Sequence, residues 1–274
     1  MSTTAPACEL DDLVVSYGAE VAVGPLSLRV APGETVALVG PSGAGKTSVL
    51  RALSGMVTPA AGTVRLGGED LDRLRGRREL PRRVGMVSQG LDLVPQLSVK
   101  HNVQAGALGR WGLARSLAAL VLPLEHPPAR AAARRLGVED LFAKRVADLS
   151  GGEQQRVALA RLLVQDPALV LADEPVASLD PARADDLLGL LCEAARERGR
   201  TLVASLHTPD LARRHFDRII GLRGGRVTFD LPPAGVTPEV LDRVYRLIAP
   251  VEDAPGPGRT EGGGSAPGAR ADTG

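Results

Sequence analysis

An eight-residue glycine-rich segment constrains this chain more than any other feature. Residues 40–47, GPSGAGKT, match the pattern GxxxxGK[ST] at every position and follow the short apolar run Thr35–Val39. The next residues, Lys46–Leu53, suit a helix. Glycines let successive backbone N–H groups turn inward around a polyphosphate, which side chains would obstruct. Because the segment lies between a strand and a helix, the sequence predicts a phosphate-binding loop rather than a chance glycine-rich turn.

The residue types of this loop give each position a part in holding a nucleotide. Its backbone amides, together with the positive end of the following helix, would surround the phosphates. Lys46 would neutralise the β- and γ-phosphates, and the Thr47 hydroxyl would ligate Mg²⁺. A guanine-selecting NKxD motif is absent from the sequence, in which Asn102 is the only asparagine. The predicted cofactor-binding positions of the loop are Gly40, Pro41, Ser42, Gly43, Ala44, Gly45, Lys46, Thr47 and Ser48.

A second apolar run ends in two adjacent acids. Ala168–Ala172 is continuously apolar, as expected for a strand buried on both faces of a mainly parallel sheet, and Asp173 and Glu174 follow it. Asp173 would help to hold Mg²⁺, directly or through water. Glu174, on the opposite side of the backbone, would act as a general base or position the attacking water. By themselves these acids would suit a solvated strand-to-turn junction, but downstream of a complete phosphate-binding loop they indicate a hydrolytic site.

The distribution of residue types divides the chain into regions. Residues 9–87 have the pattern of strands and turns, residues 90–165 are rich in Leu, Ala and Arg and mostly helical in pattern, and residues 166–231 return to alternating strands and helices. This order predicts an α/β core with an inserted helical lobe. From Val251 onward the chain is rich in Pro, Gly and Ala, which predicts a disordered tail over residues 251–274.

Charge and cysteine content argue against several other classes. The chain has 33 basic and 32 acidic residues, which argues against nonspecific binding to nucleic acid. Cys8 and Cys192 belong to no CxxC or His/Cys cluster, so neither a disulfide framework nor a zinc site is expected. No secretory signal is visible at the N-terminus. The apolar stretch Leu113–Leu124 contains Arg115 and Pro123 and is shorter than the ~20 residues of a spanning helix. We therefore expect any pore to belong to another polypeptide.

A third motif narrows the class of nucleotide-binding protein to which the chain could belong. Residues 149–156, LSGGEQQR, place Ser150 as the N-cap and two glycines at the start of an amphipathic helix, Glu153–Val164. The free amides of such a helix start form a second anion site. Because the chain already has a phosphate-binding loop, this second site, Ser150, Gly151 and Gly152, would serve the nucleotide of another copy. The segment resembles the signature motif of ATP-binding cassette (ABC) ATPases, and it precedes Asp173 and Glu174 as it does in that family.

The resemblance to ABC ATPases covers nearly all of residues 9–248 and assigns further roles. It implies that Tyr17 stacks on adenine and that Gln89 is the Q-loop glutamine, which links the Mg²⁺ and water to the helical lobe. It implies that Ser178-Leu179-Asp180 is the D-loop at a dimer interface and that His207 contacts the γ-phosphate. The catalytic residues implied are Glu174, His207, Gln89 and Lys46, the metal-binding residues are Thr47, Gln89 and Asp173, and Tyr17, Ser150, Gly151, Gly152 and Asp180 complete the cofactor-binding set.

The same resemblance implies an architecture and a set of partners. The fold would be a P-loop NTPase core of the ABC type over residues 9–250, with a mainly parallel sheet, an antiparallel N-terminal β region and a helical lobe inserted at about residues 90–165. Two copies would bind head to tail around two ATP molecules and Mg²⁺. The dimer would lie on the cytoplasmic face of a membrane and move integral permease subunits. In an importer, an extracytoplasmic solute-binding protein would complete the complex, and no nucleic acid is expected as a partner.

Several stretches are similar to the ATP-binding subunits of phosphonate importers. They are residues 109–112, 173–181, 205–207, 217–223, 225–230 and 237–245. The sequence departs from that group at Gly90, Glu153 and Thr208, and a signature with Glu153 is also common in lipoprotein-release and macrolide-type exporters. Import of a phosphonate or related phosphorus oxyanion is therefore the first hypothesis, and such an exporter is the alternative. A soluble ABC ATPase acting on ribosomes or DNA is a further one, although the chain has a single cassette and no basic surplus.

Overall fold

Ten strands form two sheets in the computed structural model, which describes residues 5–77, 79–111, 126–177 and 179–245. The stretch 113–124, Ser178 and the tail predicted from Val251 lie outside the described residues. The strands are β1 (Cys8–Tyr17), β2 (Glu20–Val30), β3 (Thr35–Val39), β4 (Ala61–Leu66), β5 (Glu69–Asp70), β6 (Val84–Val87), β7 (Leu169–Asp173), β8 (Thr201–Leu206), β9 (Arg218–Arg223) and β10 (Arg226–Leu231).

The larger sheet has the strand order β10-β9-β3-β8-β7-β6. Its neighbours are parallel except for β10, which pairs antiparallel with β9 at one edge. Every residue of β3, β7 and β8 is buried, which explains why their sequences are mostly apolar rather than alternating between apolar and polar residues. Since parallel strands end at the same edge of a sheet, the loops after β3, β7 and β8 meet there. The prediction of a mainly parallel α/β core is confirmed.

The smaller sheet is antiparallel and comes from the N-terminal part of the chain, in the order β2-β1-β4-β5. Its buried face and one face of β3 enclose the first helix, whose apolar residues Val49, Leu50 and Leu53 belong to the same hydrophobic cluster as Leu10 and Leu13. This arrangement confirms the predicted antiparallel N-terminal β region. It also fixes the helix that follows the glycine-rich loop between the two sheets.

Helices lie on both faces of the larger sheet and form the lobe between β6 and β7. They are α1 (Lys46–Ser54), α2 (Leu71–Leu74), α3 (Leu80–Arg83), α4 (Val99–Gln104), α5 (Pro127–Arg135), α6 (Gly151–Gln165), α7 (Pro181–Glu197), α8 (Pro209–His215) and α9 (Pro238–Tyr245). In the lobe, α6 packs against α4, α5 and the 3-10 segment Ala105–Arg110. Within the described ranges, no helix combines the length and apolar character that a membrane span requires.

Two hydrophobic clusters make up the core, one on each face of the larger sheet. The first joins the lobe to α7 and the sheet, and the second joins α1 to the antiparallel sheet. Cys192 belongs to the first and Cys8 to the second, and both are buried free thiols. Burial raises the pKa of each thiol to about 12, so both remain protonated at neutral pH.

Candidate nucleotide-binding and hydrolysis site

An open pocket of about 440 Å³ lies over the glycine-rich loop, at the carboxyl edge of the larger sheet. Its volume falls in the range of small-molecule sites. The loop forms its floor, the β1–β2 hairpin one wall, and the end of β7 the other. The lining residues are Tyr17, Glu20, Val21, Ala22, Ser42, Gly43, Ala44, Gly45, Lys46, Thr47, Ser48, Glu174 and Gly224. The pocket therefore brings together Tyr17, most of the predicted loop and one of the two predicted acids.

The start of α1 faces this pocket. Its N-cap is Gly45, with a φ of 98°, and among the described residues no side chain caps this helix start. The first amides of a helix have no partner within the helix, and they carry the positive end of its dipole. An uncapped helix start behind a glycine-rich loop is a site for phosphate.

Neighbouring backbone holds the loop from both sides, a feature that was not predicted from the sequence. A Cβ on Gly45 would lie 2.8 Å from the Ala22 carbonyl oxygen of β2. In the β9–β10 turn, a Cβ on Gly225 would lie 2.7 Å from that same oxygen, and the Gly225 N–H donates to the Ala44 carbonyl at 3.1 Å. The loop is thus clamped between β2 and this turn, with no room for side chains at either glycine.

Lys46 is buried, with only 4% of its surface exposed. Its Nζ donates to the carbonyl oxygens of Gly40 and Pro41, at 2.7 and 3.1 Å. Burial lowers the pKa of the ammonium, and the nearby carboxylates of Glu174 and Asp173 oppose that shift. The two hydrogen bonds hold the ammonium beside the loop, where the sequence predicts that it binds the outer phosphates.

Two hydroxyls converge on Asp173. Thr47 Oγ1 donates to Asp173 Oδ1 at 3.1 Å, and Ser205 Oγ on β8 donates to the same oxygen at 2.7 Å. Asp173 and Ser205 are both buried. A hydroxyl and a carboxylate oxygen in contact, beside a phosphate-binding loop, are the hard donors that Mg²⁺ takes along with phosphate oxygens. The residues present therefore fit the predicted metal.

Glu174 is held by two residues at the end of β8. It has a left-handed backbone, with a φ of 51°, and its N–H donates to Ser205 Oγ at 2.9 Å. Its Oε1 is in hydrogen-bond contact with Nε2 of His207. A non-glycine residue in this conformation persists only where the surroundings hold it. Ser205 fixes the main chain and His207 the carboxylate, so Glu174 is presented to the pocket.

The part played by Ser205 was not predicted from the sequence, where this residue appears only within the stretch 205–207 that is similar to phosphonate importer subunits. A hydroxyl two residues before the histidine, on the strand beside β7, was the available signal. Parallel register places Ser205 directly opposite Asp173. The register cannot be determined without knowing which strands are neighbours.

Of the remaining predicted residues, Tyr17 lies at the pocket and the others lie outside it. Tyr17 is on the pocket wall and 45% exposed. Of the described residues that line the pocket, none belongs to the signature segment or the D-loop, and Gln89 is not among them. Gln89 is exposed in the turn after β6, Ser150–Gly152 starts α6, and Asp180 is the N-cap of α7. One copy of the chain therefore holds the loop, Asp173, Glu174 and His207 together, and it presents the signature at a separate place.

The signature start of α6 is organised by a capping box. Ser150 accepts from the Glu153 N–H at 3.4 Å, while the Ser150 N–H and hydroxyl both donate to Glu153 Oε2, at 2.8 and 2.7 Å. Hydrogen bonds from the Ser150 hydroxyl and then from its N–H lower the pKa of Glu153. Ser150 and Gly151 are exposed. The helix start that was predicted as the second anion site is thus ordered by its capping box and lies at the surface.

Comparison with known proteins agrees with this arrangement. The family model for ABC transporters matches residues 23–177, more than half of the chain. The chain belongs to the ABC transporter family, as an ATP-binding cassette, which is the ATPase component of such transporters.

Several curated relatives share most of their length with this chain. A phosphonates import ATP-binding protein of Pseudomonas aeruginosa strain UCBPP-PA14 is 49% identical over 236 residues, which cover 85% of this chain and 88% of the relative. One from Pseudomonas putida strain KT2440 is 43% identical over 247 residues, 89% of this chain and 92% of the relative. The similarity to phosphonate importer subunits noted from the sequence is confirmed.

Solved cassettes have the same fold. The dimeric structure of a bacterial ABC transporter cassette matches with a TM-score of 0.74 and 27% identity, covering 84% of this chain and all of that one. A Clostridium perfringens component of an ABC transporter complex matches with a TM-score of 0.72 and 26% identity, over 87% of this chain and 94% of that one. A post-hydrolysis dimer bound to ADP and phosphate matches with a TM-score of 0.71 and 28% identity, covering 84% of this chain and all of that one.

Proposed function

We propose that this cassette binds Mg·ATP in the pocket over its glycine-rich loop and hydrolyses it to drive import of a phosphonate or related phosphorus oxyanion. It would work as a pair of copies, peripheral to the cytoplasmic face of the membrane, with permease subunits and a solute-binding protein. The contact of Glu174 with His207, on the wall of a pocket whose floor holds Lys46, carries the hydrolytic part of the proposal.

Nucleotide binding would use both ends of the pocket. The exposed ring of Tyr17 offers a face on which adenine stacks. At the other end, the loop amides and the start of α1 would surround the phosphates, and Lys46 would exchange its carbonyl contacts for the β- and γ-phosphate oxygens. Thr47 and Asp173, with Gln89 supplied by the turn after β6, would hold Mg²⁺, which neutralises charge on those oxygens.

Hydrolysis would follow from the placement of Glu174. The oxygen of a water bonds to the γ-phosphorus while the bond from that phosphorus to the β–γ bridging oxygen breaks, and ADP leaves. Glu174 would orient this water and accept its proton. His207 would hold the Glu174 carboxylate in place and donate toward the γ-phosphate. Ser205 would keep the left-handed main chain of Glu174 fixed during the reaction.

A second copy would complete each site. The signature start of α6 is ordered by its capping box, but within one copy it does not line the pocket. In a head-to-tail dimer, Ser150–Gly152 of one copy would cover the γ-phosphate held by the other, and Asp180 would lie at the same interface. The structures of similar cassettes in dimeric form support this proposal. Closure on ATP and opening after phosphate release would move the helical lobe against the permease.

The relatives compared above support import of a phosphonate, because they are phosphonate import subunits that share most of their length with this chain. One feature favours the exporter alternative. Glu153 in the signature is also common in lipoprotein-release and macrolide-type exporters, and here it closes the capping box with Ser150. The cassette does not touch the transported solute, so the choice depends on the assembled transporter.

The test is the ATPase activity of this chain assembled with its own permease in vesicles, with its binding protein and a panel of solutes. We expect phosphonates or phosphite to raise the rate, and amino acids or sugars to leave it unchanged. The Glu174→Gln variant provides the background rate. Stimulation by a lipid, lipoprotein or macrolide alone would contradict the import proposal and support the exporter alternative. Activity that depends on ribosomes or DNA would contradict the transporter proposal.

A further inference from the structure

Gln89 lies in a tight turn between β6 and the helical lobe. The Leu91 N–H donates to the Ser88 carbonyl at 2.9 Å, and the Ser88 hydroxyl donates to Asp92 Oδ2 at 2.6 Å. These bonds close the turn around Gln89 and Gly90. Leu91 and Asp92 both have left-handed backbones, with φ of 61° and 48°. Two successive non-glycine residues in this region need contacts that hold them there.

Arg161 of α6 supplies those contacts. Its Nη1 donates to the Asp92 carbonyl at 2.5 Å and its Nη2 to the Leu91 carbonyl at 2.7 Å. Burial lowers the pKa of Arg161, opposed by the charge of Asp92, but a guanidinium stays protonated at any working pH. The backbone here is also tightly packed, since a Cβ on Gly106 would lie 2.1 Å from the Arg161 carbonyl oxygen. The turn is therefore fixed to a closely packed part of the lobe.

The same helix carries the signature. It begins after Ser150, and Arg161 lies eleven residues further on, which is about three turns. We infer that Arg161 is a positioning residue for Gln89, because it ties the turn that presents Gln89 to the helix whose start meets the partner's nucleotide. Movement of α6 then moves Gln89 with it. This inference rests on the proposed function and adds a residue that the sequence motifs do not assign.

The test is a double-mutant cycle between Arg161→Met and Gln89→Ala, measured as the Mg·ATPase rate of the full chain. We expect Arg161→Met to lower kcat about tenfold and to change KM for ATP less than twofold. Because Arg161 acts through Gln89, the double variant should match Gln89→Ala alone. Hydrogen exchange should also accelerate at the amides of Leu91 and Asp92 but not across the rest of the lobe. A general loss of stability would instead accelerate exchange throughout.

Arg110→Met is the matched control. Arg110 also donates to two successive main-chain carbonyls of α6, those of Val164 and Gln165, but it does not touch the turn. We expect its kcat and the exchange at Leu91 and Asp92 to stay as in the wild type. If Arg161→Met does not fold, Arg161→Lys replaces it in the cycle and should show a smaller loss of kcat.

Three results would overturn the inference. The first is an unchanged kcat in Arg161→Met, and the second is a loss of kcat in Arg110→Met as large as that in Arg161→Met. The third is a further loss of kcat, as large as that of Arg161→Met alone, when Arg161→Met is added to Gln89→Ala. Failure of the proposed function gives a different result, in which the wild-type chain is no more active than Glu174→Gln.

Discussion

The hydroxyl of Ser205 lies between the two acids of the site: it donates to Asp173 Oδ1 at 2.7 Å and accepts the Glu174 N–H at 2.9 Å. One buried hydroxyl on β8 therefore orients the metal-binding carboxylate and fixes the left-handed main chain of the proposed general base. Neither bond reaches the nucleotide. Ser205 is thus expected to affect the hydrolytic step more than binding.

Ser205→Ala tests this relationship. Losing the hydroxyl leaves the Glu174 N–H without its partner, and a lost bond of this kind costs about 1–3 kcal/mol. We expect kcat to fall about tenfold or more while the Kd for Mg·ATP changes little. Ser205→Thr keeps the hydroxyl and should recover most of the rate. A Ser205→Ala chain with wild-type kcat would show that Ser205 positions neither acid.

Lys46→Met separates nucleotide binding from folding. The ammonium is buried and bonded to two loop carbonyls, but its burial carries a desolvation cost that an apolar side chain of similar length avoids, and this offsets the loss of the two bonds. We expect the unfolding temperature without nucleotide to stay close to the wild type. ATP affinity should fall about 10- to 100-fold, the loss for charge-assisted hydrogen bonds, in calorimetric titrations. Unaltered ATP affinity would contradict the assignment of Lys46.

The neighbouring glycines of the β9–β10 turn make a matched pair. Both have a left-handed φ, 53° at Gly224 and 74° at Gly225, so alanine is strained at either. A Cβ at Gly224 has nothing within 4 Å, whereas one at Gly225 would lie 2.7 Å from the Ala22 carbonyl oxygen. We expect Gly225→Ala to weaken ATP binding and lower the unfolding temperature more than Gly224→Ala. Equal effects would mean that the turn does not clamp the loop.

The loss of folding stability at low pH should be caused in part by protonation of Asp217. Its Oδ2 accepts from the Thr35 N–H and hydroxyl, at 3.1 and 2.7 Å, and its Oδ1 accepts from Arg196 at 2.9 Å. Burial alone would raise the pKa of Asp217, but these hydrogen bonds outweigh burial and lower it. Because the pKa is lower in the folded state, Asp217 makes its full contribution to the free energy of unfolding above its unfolded-state pKa of about 4. That contribution is lost as pH falls through the folded-state pKa.

Asp217→Asn removes this titration. The free energy of unfolding is measured by chemical unfolding of both chains between pH 7 and pH 3. At pH 7 the wild type should be more stable than Asp217→Asn, and below pH 4 the two free energies should converge. ATP affinity should not change, because Asp217 lies away from the pocket. Parallel curves over the whole range would show that Asp217 contributes no pH-dependent stability.

Features encoded in short stretches of sequence could be predicted. The continuous apolar runs gave β3 and β7, the pattern GxxxxGK[ST] gave the loop before α1, and Ser150 with Glu153 marked the start of α6. Each depends on residues a few positions apart, where backbone preference and capping decide the structure.

Contacts between distant parts of the chain could not be predicted. The clamp on the loop joins Ala22 to Gly225, and the bonds of Ser205 and Arg161 depend on strand order and on how the lobe packs. None of these has a local pattern, since any serine on a strand or arginine on a helix looks the same in sequence. From the sequence, the signature was predicted to serve the nucleotide of another copy, and in the structure it lies outside the pocket of its own copy.

The most direct measurement is sedimentation of the Glu174→Gln chain with Mg·ATP, beside the same chain carrying Ser150→Asp. Glu174→Gln should slow hydrolysis about 10²–10³-fold and let the ATP-bound state persist. Aspartate keeps the N-cap of α6 but places a negative charge where the partner's γ-phosphate would lie. We expect Glu174→Gln to form a species of twice the 28.5 kDa monomer mass only with ATP, and the Ser150→Asp form to bind ATP yet stay monomeric. A Glu174→Gln chain that binds ATP and remains a monomer would contradict the composite two-copy site.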